Sequence, residues 1–180
     1  SIQNIPGLEK REDALLISGV NPPYTNAETG SIEGRVKLYH LLDLNCKKCN
    51  NMSLLLNQMK SAGINIYEQK DMDKSTKDSK ELIARYNIEF LPTIILSKDA
   101  SAYEVMEKAW PTIGTKEADG SFVLRTVYPP FINLTTGKLN GIVNIVYLTD
   151  KNCSECYDPN LHKTILTNPV IFGVTFDKED

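Results

Sequence analysis

Arg35-Val36-Lys37-Leu38-Tyr39-His40-Leu41-Leu42-Asp43-Leu44-Asn45-Cys46-Lys47-Lys48-Cys49 is the stretch that decides how this chain is read. From Arg35 to Leu42, Val36, Leu38 and His40 alternate with Lys37 and Tyr39, a short period-two pattern bounded by Gly34 and Asp43. That is the signature of a β-strand buried in a sheet. The strand ends at Asp-x-Asn-Cys, and Asn45 is a good residue to cap a helix. A helix is therefore expected from about Cys46 to Ala62, with both cysteines in its first turn. Met52, Leu55, Leu56 and Met59 form its apolar stripe, and Gly63 closes it.

The stretch recurs. Shifted by 107 residues, Val20–Cys49 falls on Val127–Cys156 without a gap, and thirteen of the thirty positions are identical. Pro22/Pro129, Pro23/Pro130, Asn26/Asn133, Gly30/Gly137, Gly34/Gly141, Asp43/Asp150 and Asn45/Asn152 are among them. The two Cys-x-x-Cys pairs, Cys46/Cys49 and Cys153/Cys156, hold every cysteine of the chain and occupy equivalent places. A site duplicated with its surroundings points to a repeat architecture. The second strand, Ile142–Thr149, is a near-continuous apolar run and reads as a buried central strand.

Between the pairs the pattern continues as a strand at Ile64–Gln69 and a helix at Ser75–Tyr86 with Leu82, Ile83 and Tyr86 inward. Phe90–Leu96 comes next, with Pro92 opening an apolar strand. Ala102–Trp110 can form a helix with Tyr103, Met106 and Trp110 on one side; Ala118-Asp119-Gly120 is a turn and Ser121–Val127 a strand. Gly7–Tyr24 looks like a second copy of that ending, with Ala14–Ile17 matching Ser121–Leu124. Tyr24, Tyr128 and Phe131 surround the Pro-Pro steps and are expected to pin the linkers.

The chain has 180 residues, 41% hydrophobic and 24% charged, with a net charge of −3. This suits a packed α/β domain and argues against a general nucleic-acid role, which needs clustered cations. No run of 18 apolar residues is present, so no membrane span is expected. Ser1-Ile2-Gln3-Asn4 shows neither a basic start nor an apolar run, so no signal peptide is visible. Paired cysteines suit an oxidising, extracytoplasmic space, although a catalytic pair also works in the cytosol, and the compartment stays open.

Two residues between cysteines bring the sulfurs within bonding reach. At a helix start, free N–H groups and the dipole would favour a thiolate on Cys46, the nucleophile, with Cys49 less exposed and resolving. Lys47 and Lys48 add positive charge, whereas Glu155 disfavours a thiolate on Cys153. A permanently structural disulfide and a zinc site built from converging pairs remain alternatives. His162 reads as a polar surface residue.

The order β-α-β-α-β, Cys-x-x-Cys at the first helix start and Ile83-Ala84-Arg85-Tyr86-Asn87-Ile88-x-x-Leu91-Pro92-Thr93 resemble the thioredoxin-like superfamily. The resemblance implies an α/β fold with a central mixed sheet flanked by helices. It implies a cis Pro92 against the cysteine pair and a Leu91 backbone that receives the substrate chain. The position of the family's buried acid, six residues before the first cysteine, holds His40 here and Tyr147 in the second unit. His40 is then a candidate for proton transfer, or simply a hydrogen-bonded strand histidine. Thioredoxin itself has Trp before the pair and Gly-Pro within it, where this chain has Asn45 and Lys47-Lys48. In these terms residues 1–34 are the tail of a preceding repeat and a linker, and 35–131 a complete thioredoxin-like domain. Residues 132–141 are a linker, and 142–180 the first half, β-α-β, of a second unit without a cis-proline equivalent. The chain reads as cut from a longer repeat protein.

The expected function is thiol–disulfide exchange on protein thiols and disulfides, carried by Cys46, Cys49, Pro92, Cys153 and Cys156, with Leu91 and Pro92 binding substrate. A redox partner is implied and no cofactor or metal. Self-association through the second unit is conceivable. The competing expectation is a non-catalytic repeat scaffold whose disulfides are local staples for assembly or binding.

Overall fold

The computed structural model of the chain describes residues 8–11, 14–17, 19–148, 150, 152–153, 155–158, 160–168, 171 and 173–179. Two hairpins come first: β1 (Leu8–Arg11) with β2 (Ala14–Ile17), and β3 (Tyr24–Thr25) with β4 (Ile32–Glu33). There follow β5 (Val36–Leu42), α1 (Ser53–Ser61), β6 (Ile66–Asp73), α2 (Lys77–Arg85), β7 (Phe90–Leu91) and β8 (Thr93–Leu96). A 3-10 turn, Lys98–Ala102, leads into α3 (Glu104–Ala109), and β9 (Gly114–Lys116) and β10 (Phe122–Leu124) form a hairpin. The described chain ends with β11 (Phe131–Asn133), β12 (Leu139–Asn140), β13 (Ile142–Ile145), α4 (Asn160–Thr167) and β14 (Thr175–Glu179).

The architecture is mixed α/β. The main sheet has five strands in the order β6-β5-β8-β10-β9, with β5 and β6 parallel and the other neighbours antiparallel. A parallel pair needs a crossover, and α1 supplies it. Val36 and Leu38, on one face of β5, pack with Met52, Leu56 and Met59 around α1 and with Tyr103, Met106 and Trp110 around α3. Leu41, on the other face, packs with Met72, Tyr86, Ile88, Leu91 and Ile132. Covered on both faces, β8 is buried at all four positions, as the apolar run from Thr93 to Leu96 requires. The side-chain hydroxyl of Thr76 accepts from Ser79 N–H at the start of α2, so this helix begins two residues later than expected, and it ends one residue earlier, with Tyr86 as its C-cap.

The sequence repeat is a structural repeat. Tyr24 faces Glu33 and Thr25 faces Ile32; at the equivalent positions Phe131 faces Asn140 and Ile132 faces Leu139. The Asn26 and Asn133 carbonyls accept from Gly30 and Gly137, which adopt φ of +69° and +68°. Gly34 is constrained twice over: its φ is +84°, and a Cβ there would lie 2.4 Å from Pro22 Cβ. Gly141 meets Pro129 at 2.5 Å in the same way. Only glycine fits both requirements.

Two expectations are corrected. Both cysteine pairs precede their helices instead of opening them: α1 starts at Ser53 and α4 at Asn160. The cause lies in the Asp and Asn side chains that flank the cysteines. Asp43 Oδ1 accepts from Asn45 N–H at 2.9 Å and its carbonyl accepts from Cys46 N–H at 2.9 Å. Asn50 Oδ1 then accepts from Met52 N–H at 2.7 Å and Asn51 Oδ1 from Ser53 N–H at 3.0 Å. Such side-chain bonds to nearby backbone compete with helix bonding and hold the chain in successive turns. The second correction concerns the strand from Ile142, which spans Ile142–Ile145 and among the described residues bonds only β14; Thr149 lies outside the described residues. It is not a buried central strand: Leu148 is 95% exposed, where its equivalent Leu41 is fully buried. Among the described residues neither of the two packed clusters that sandwich β5 includes a residue of β13.

Candidate functional site

Each cysteine pair is closed as a disulfide, Cys46–Cys49 with Cα atoms 5.5 Å apart and Cys153–Cys156 with 5.4 Å. The two loops are built alike. Cys49 N–H donates to the Cys46 carbonyl and Cys156 N–H to the Cys153 carbonyl, each at 3.4 Å. Asp150 repeats the role of Asp43, taking Asn152 N–H at 2.9 Å on its side chain and Cys153 N–H at 3.2 Å on its carbonyl.

The first loop is anchored from several sides. Asp43, its side chain 9% exposed, pairs with Lys74 at 2.7 Å. Asp73 Oδ2 accepts from Leu44 N–H at 2.8 Å. The Ser75 hydroxyl, followed by the N–H groups of Leu44 and Ser75, holds the Asp73 carboxyl below its ordinary value. Lys48 pairs with Asp177 of β14, which removes part of the positive charge that the sequence reading assigned to Cys46. Ser53 opens α1 seven residues beyond Cys46, so this cysteine does not sit in the first turn of the helix, where the dipole argument had placed it.

Cys46 and Cys49 are both half-buried and pack against the cluster that contains Leu41, Leu91 and Ile132. The second pair is barer: Cys153 is half-buried, Cys156 is exposed, and among the described residues neither belongs to a packed cluster. The Leu91–Pro92 peptide is cis, and both residues are buried. Pro92 lines a cleft of about 250 Å³ with Asn87, Phe90, Thr93 and Arg125. A second cleft of about 200 Å³ lies beside the cysteine loop, between Asn50, Met52, Ser53, Tyr128 and Pro129, with Gly173 at its rim.

The backbone edge at Leu91 is occupied by the chain itself. β11 runs antiparallel to β7, with Ile132 opposite Leu91 and Asn133 opposite Phe90. The ring of Phe131 meets that of Phe90 edge-on at 5.3 Å. On the way to this ladder the linker touches the cysteine loop: Asn50 N–H donates to the Pro130 carbonyl at 2.8 Å and Asn50 Nδ2 to that of Pro129 at 3.3 Å. Asn50 and Ile132 were not singled out in the sequence. The repeated Pro-Pro step marks the linker, but nothing local indicates that it returns to the cysteines.

His40 is buried, its Nδ1 3.1 Å from Asp71 Oδ1 and its Nε2 without a protein partner. Among the described residues it makes no hydrogen bond to a cysteine. Its repeat equivalent Tyr147 likewise has a buried, unpartnered hydroxyl. His162 is exposed beside Tyr157, with ring centres 5.1 Å apart.

Among the described residues no group of three or more His, Cys, Asp or Glu side chains is arranged to hold a metal, and no helix is long and apolar enough to cross a membrane. Comparison with models of protein families, with curated proteins and with solved structures finds no match to the chain.

Proposed function

We propose that the chain is a thioredoxin-like thiol–disulfide exchange protein acting on protein thiols and disulfides at Cys46–Cys49. The observation that carries this reading is the position of the disulfide. It closes a four-residue Cys-x-x-Cys loop that is half-buried against the cluster containing Leu91 and Ile132, not sealed in a core. Exchange needs a sulfur that an incoming thiolate can reach. A substrate thiolate attacks Cys46, the Cys46–Cys49 bond breaks, and Cys49 leaves as the thiolate; a second substrate thiolate then releases Cys46. The substrate leaves oxidised and the pair holds two electrons and two protons until a redox partner removes them. In the reducing direction Cys46 attacks the substrate and Cys49 resolves the mixed disulfide.

The unit from 35 to 131 is the working domain in this reading. The unit from 142 carries a more exposed pair beside Glu155, so it is the weaker site. Two disulfides suit an oxidising, extracytoplasmic compartment.

A specific observation favours the scaffold alternative. β11 already fills the Leu91 edge, and the same Asp-anchored turn holds both disulfides, as staples in a repeat would be held.

The test is trapping. In the exchange reading Cys49→Ser leaves Cys46 unable to complete turnover, so it accumulates mixed disulfides with protein thiols, whereas Cys46→Ser accumulates far fewer. Absence of mixed disulfides in both variants favours the staple.

A further inference from the structure

Resting on the exchange reading, we propose that Pro129–Asn133 is a latch held by the Cys46–Cys49 bond, which closes the Leu91 edge when the pair is oxidised and frees it when the pair is reduced. The segment is fastened at two ends. At one end Asn50, the residue directly after Cys49, gives its N–H to Pro130 and its side-chain amide to Pro129. At the other, Ile132 and Asn133 pair with Leu91 and Phe90, and Leu134 N–H donates to the Glu89 carbonyl at 2.8 Å. The disulfide packs on the cluster that joins both ends, since Leu91 and Ile132 belong to it.

The bond fixes the direction of Asn50 N–H, because the ring from Cys46 to Cys49 leaves that stretch little freedom. Opening it requires an external dithiol. One of its thiolates attacks a cysteine sulfur, the S–S bond breaks, and a mixed disulfide forms. The second thiolate of the reductant displaces the remaining cysteine, the reductant leaves as its own disulfide, and the two cysteine sulfurs take up two protons. The loop then no longer presents Asn50 to the prolines, and two separate thiols replace one compact bond against the cluster that holds Leu91 and Ile132. β11 is a three-residue strand, short enough for loss of one anchor to shift its docking equilibrium. The vacated edge of β7 fits an extended partner chain through main-chain hydrogen bonds. Because β12 and β13 follow directly, release of the latch also frees the second unit.

Linkage makes the coupling reciprocal: whatever factor the disulfide adds to latch closure, latch closure adds to the disulfide. Hydrogen exchange on the full chain reads it, comparing the oxidised protein with Cys46→Ser/Cys49→Ser. The expected result is exchange at the Asn50 and Leu134 amides faster by about ten-fold or more, with the amides of β8 unchanged. Equal protection of Asn50 and Leu134 in both proteins overturns the latch. Should the double variant lose protection in β8 as well, Asn50→Pro decides, because it removes the latch contact and keeps both cysteines. Its Cys46–Cys49 pair is expected to shift toward the dithiol by about ten-fold in a glutathione buffer; an unshifted equilibrium overturns the proposal. The serine variant needs no thiol chemistry, so a native pair that never exchanges with proteins sinks the exchange reading while the latch result stands by itself.

Discussion

Asp43 and Lys74 form an ion pair at 2.7 Å that ties the entry of the Cys46–Cys49 loop to the end of β6. The other carboxylate oxygen of Asp43 accepts from Asn45 N–H at 2.9 Å, so one largely buried side chain both turns the loop and fastens it to the sheet.

Asp43→Ala leaves the Asn45 amide and the Lys74 ammonium without this partner, and a loss of about 1–3 kcal/mol is expected in urea unfolding. Asp43→Asn keeps the acceptor for Asn45 and is expected to lose less, the more so because Lys74 is partly exposed and screened. Equal losses in the two variants contradict the assigned division of labour.

The repeat provides an internal comparison. Leu41 is fully buried and Leu148, 107 residues on, is 95% exposed. Leu41→Ala is expected to cost about 2–5 kcal/mol through the cavity it leaves. Leu148→Ala is expected to stay within about 0.5 kcal/mol. Paired denaturation curves check this, and a large loss at Leu148 shows that the strand from Ile142 is covered in solution.

How much of this was legible in the sequence depended on the range of the interactions. The strand from Val36 and the buried side of α3 at Tyr103, Met106 and Trp110 follow from local apolar periodicity, and the structure has both. Asn45 resembled a helix cap, but the side-chain oxygens of Asp43, Asn50 and Asn51 close turns on either side of the cysteines, and the helix starts later. Ile142–Thr149 is apolar enough for a central strand, but burial depends on neighbouring layers, which one segment does not reveal. The pairing of Ile132 with Leu91 spans 41 residues and has no local signature; the repeated prolines located the segment without its destination.

Gly34 carries the hairpin-to-sheet junction, with its carbonyl accepting from the buried Tyr103 hydroxyl at 2.7 Å. At φ of +84° and with Pro22 pressed against it, Gly34→Ala is expected to destabilise by more than about 1 kcal/mol. Gly30→Ala, equally left-handed but open around its Cα, is expected to cost less. Thermal unfolding of the two variants ranks them, and a reversed order contradicts the packing argument.

Acid sensitivity follows from depressed carboxyls. Asp73 is lowered first by the Ser75 hydroxyl, Asp119 first by Ser121 N–H and then the Tyr86 hydroxyl, and Glu117 first by the Thr115 hydroxyl. A folded-state value below the unfolded one gives stability that is complete above the unfolded value and lost as pH falls through the folded value. Stability is therefore expected to be flat from neutrality to about pH 5 and to decline below about pH 4. Asp73→Asn is expected to shallow that decline, as read by urea titrations across pH; an unchanged slope contradicts the role given to Asp73.

The reduction potential of Cys46–Cys49, set against glutathione or dithiothreitol buffers and read by mass spectrometry of alkylated protein, tests the central claim most directly. The exchange reading predicts a value between roughly −120 and −270 mV, the range of working oxidoreductases. A value well below about −300 mV with slow exchange contradicts it and identifies the pair as a structural staple of a repeat scaffold.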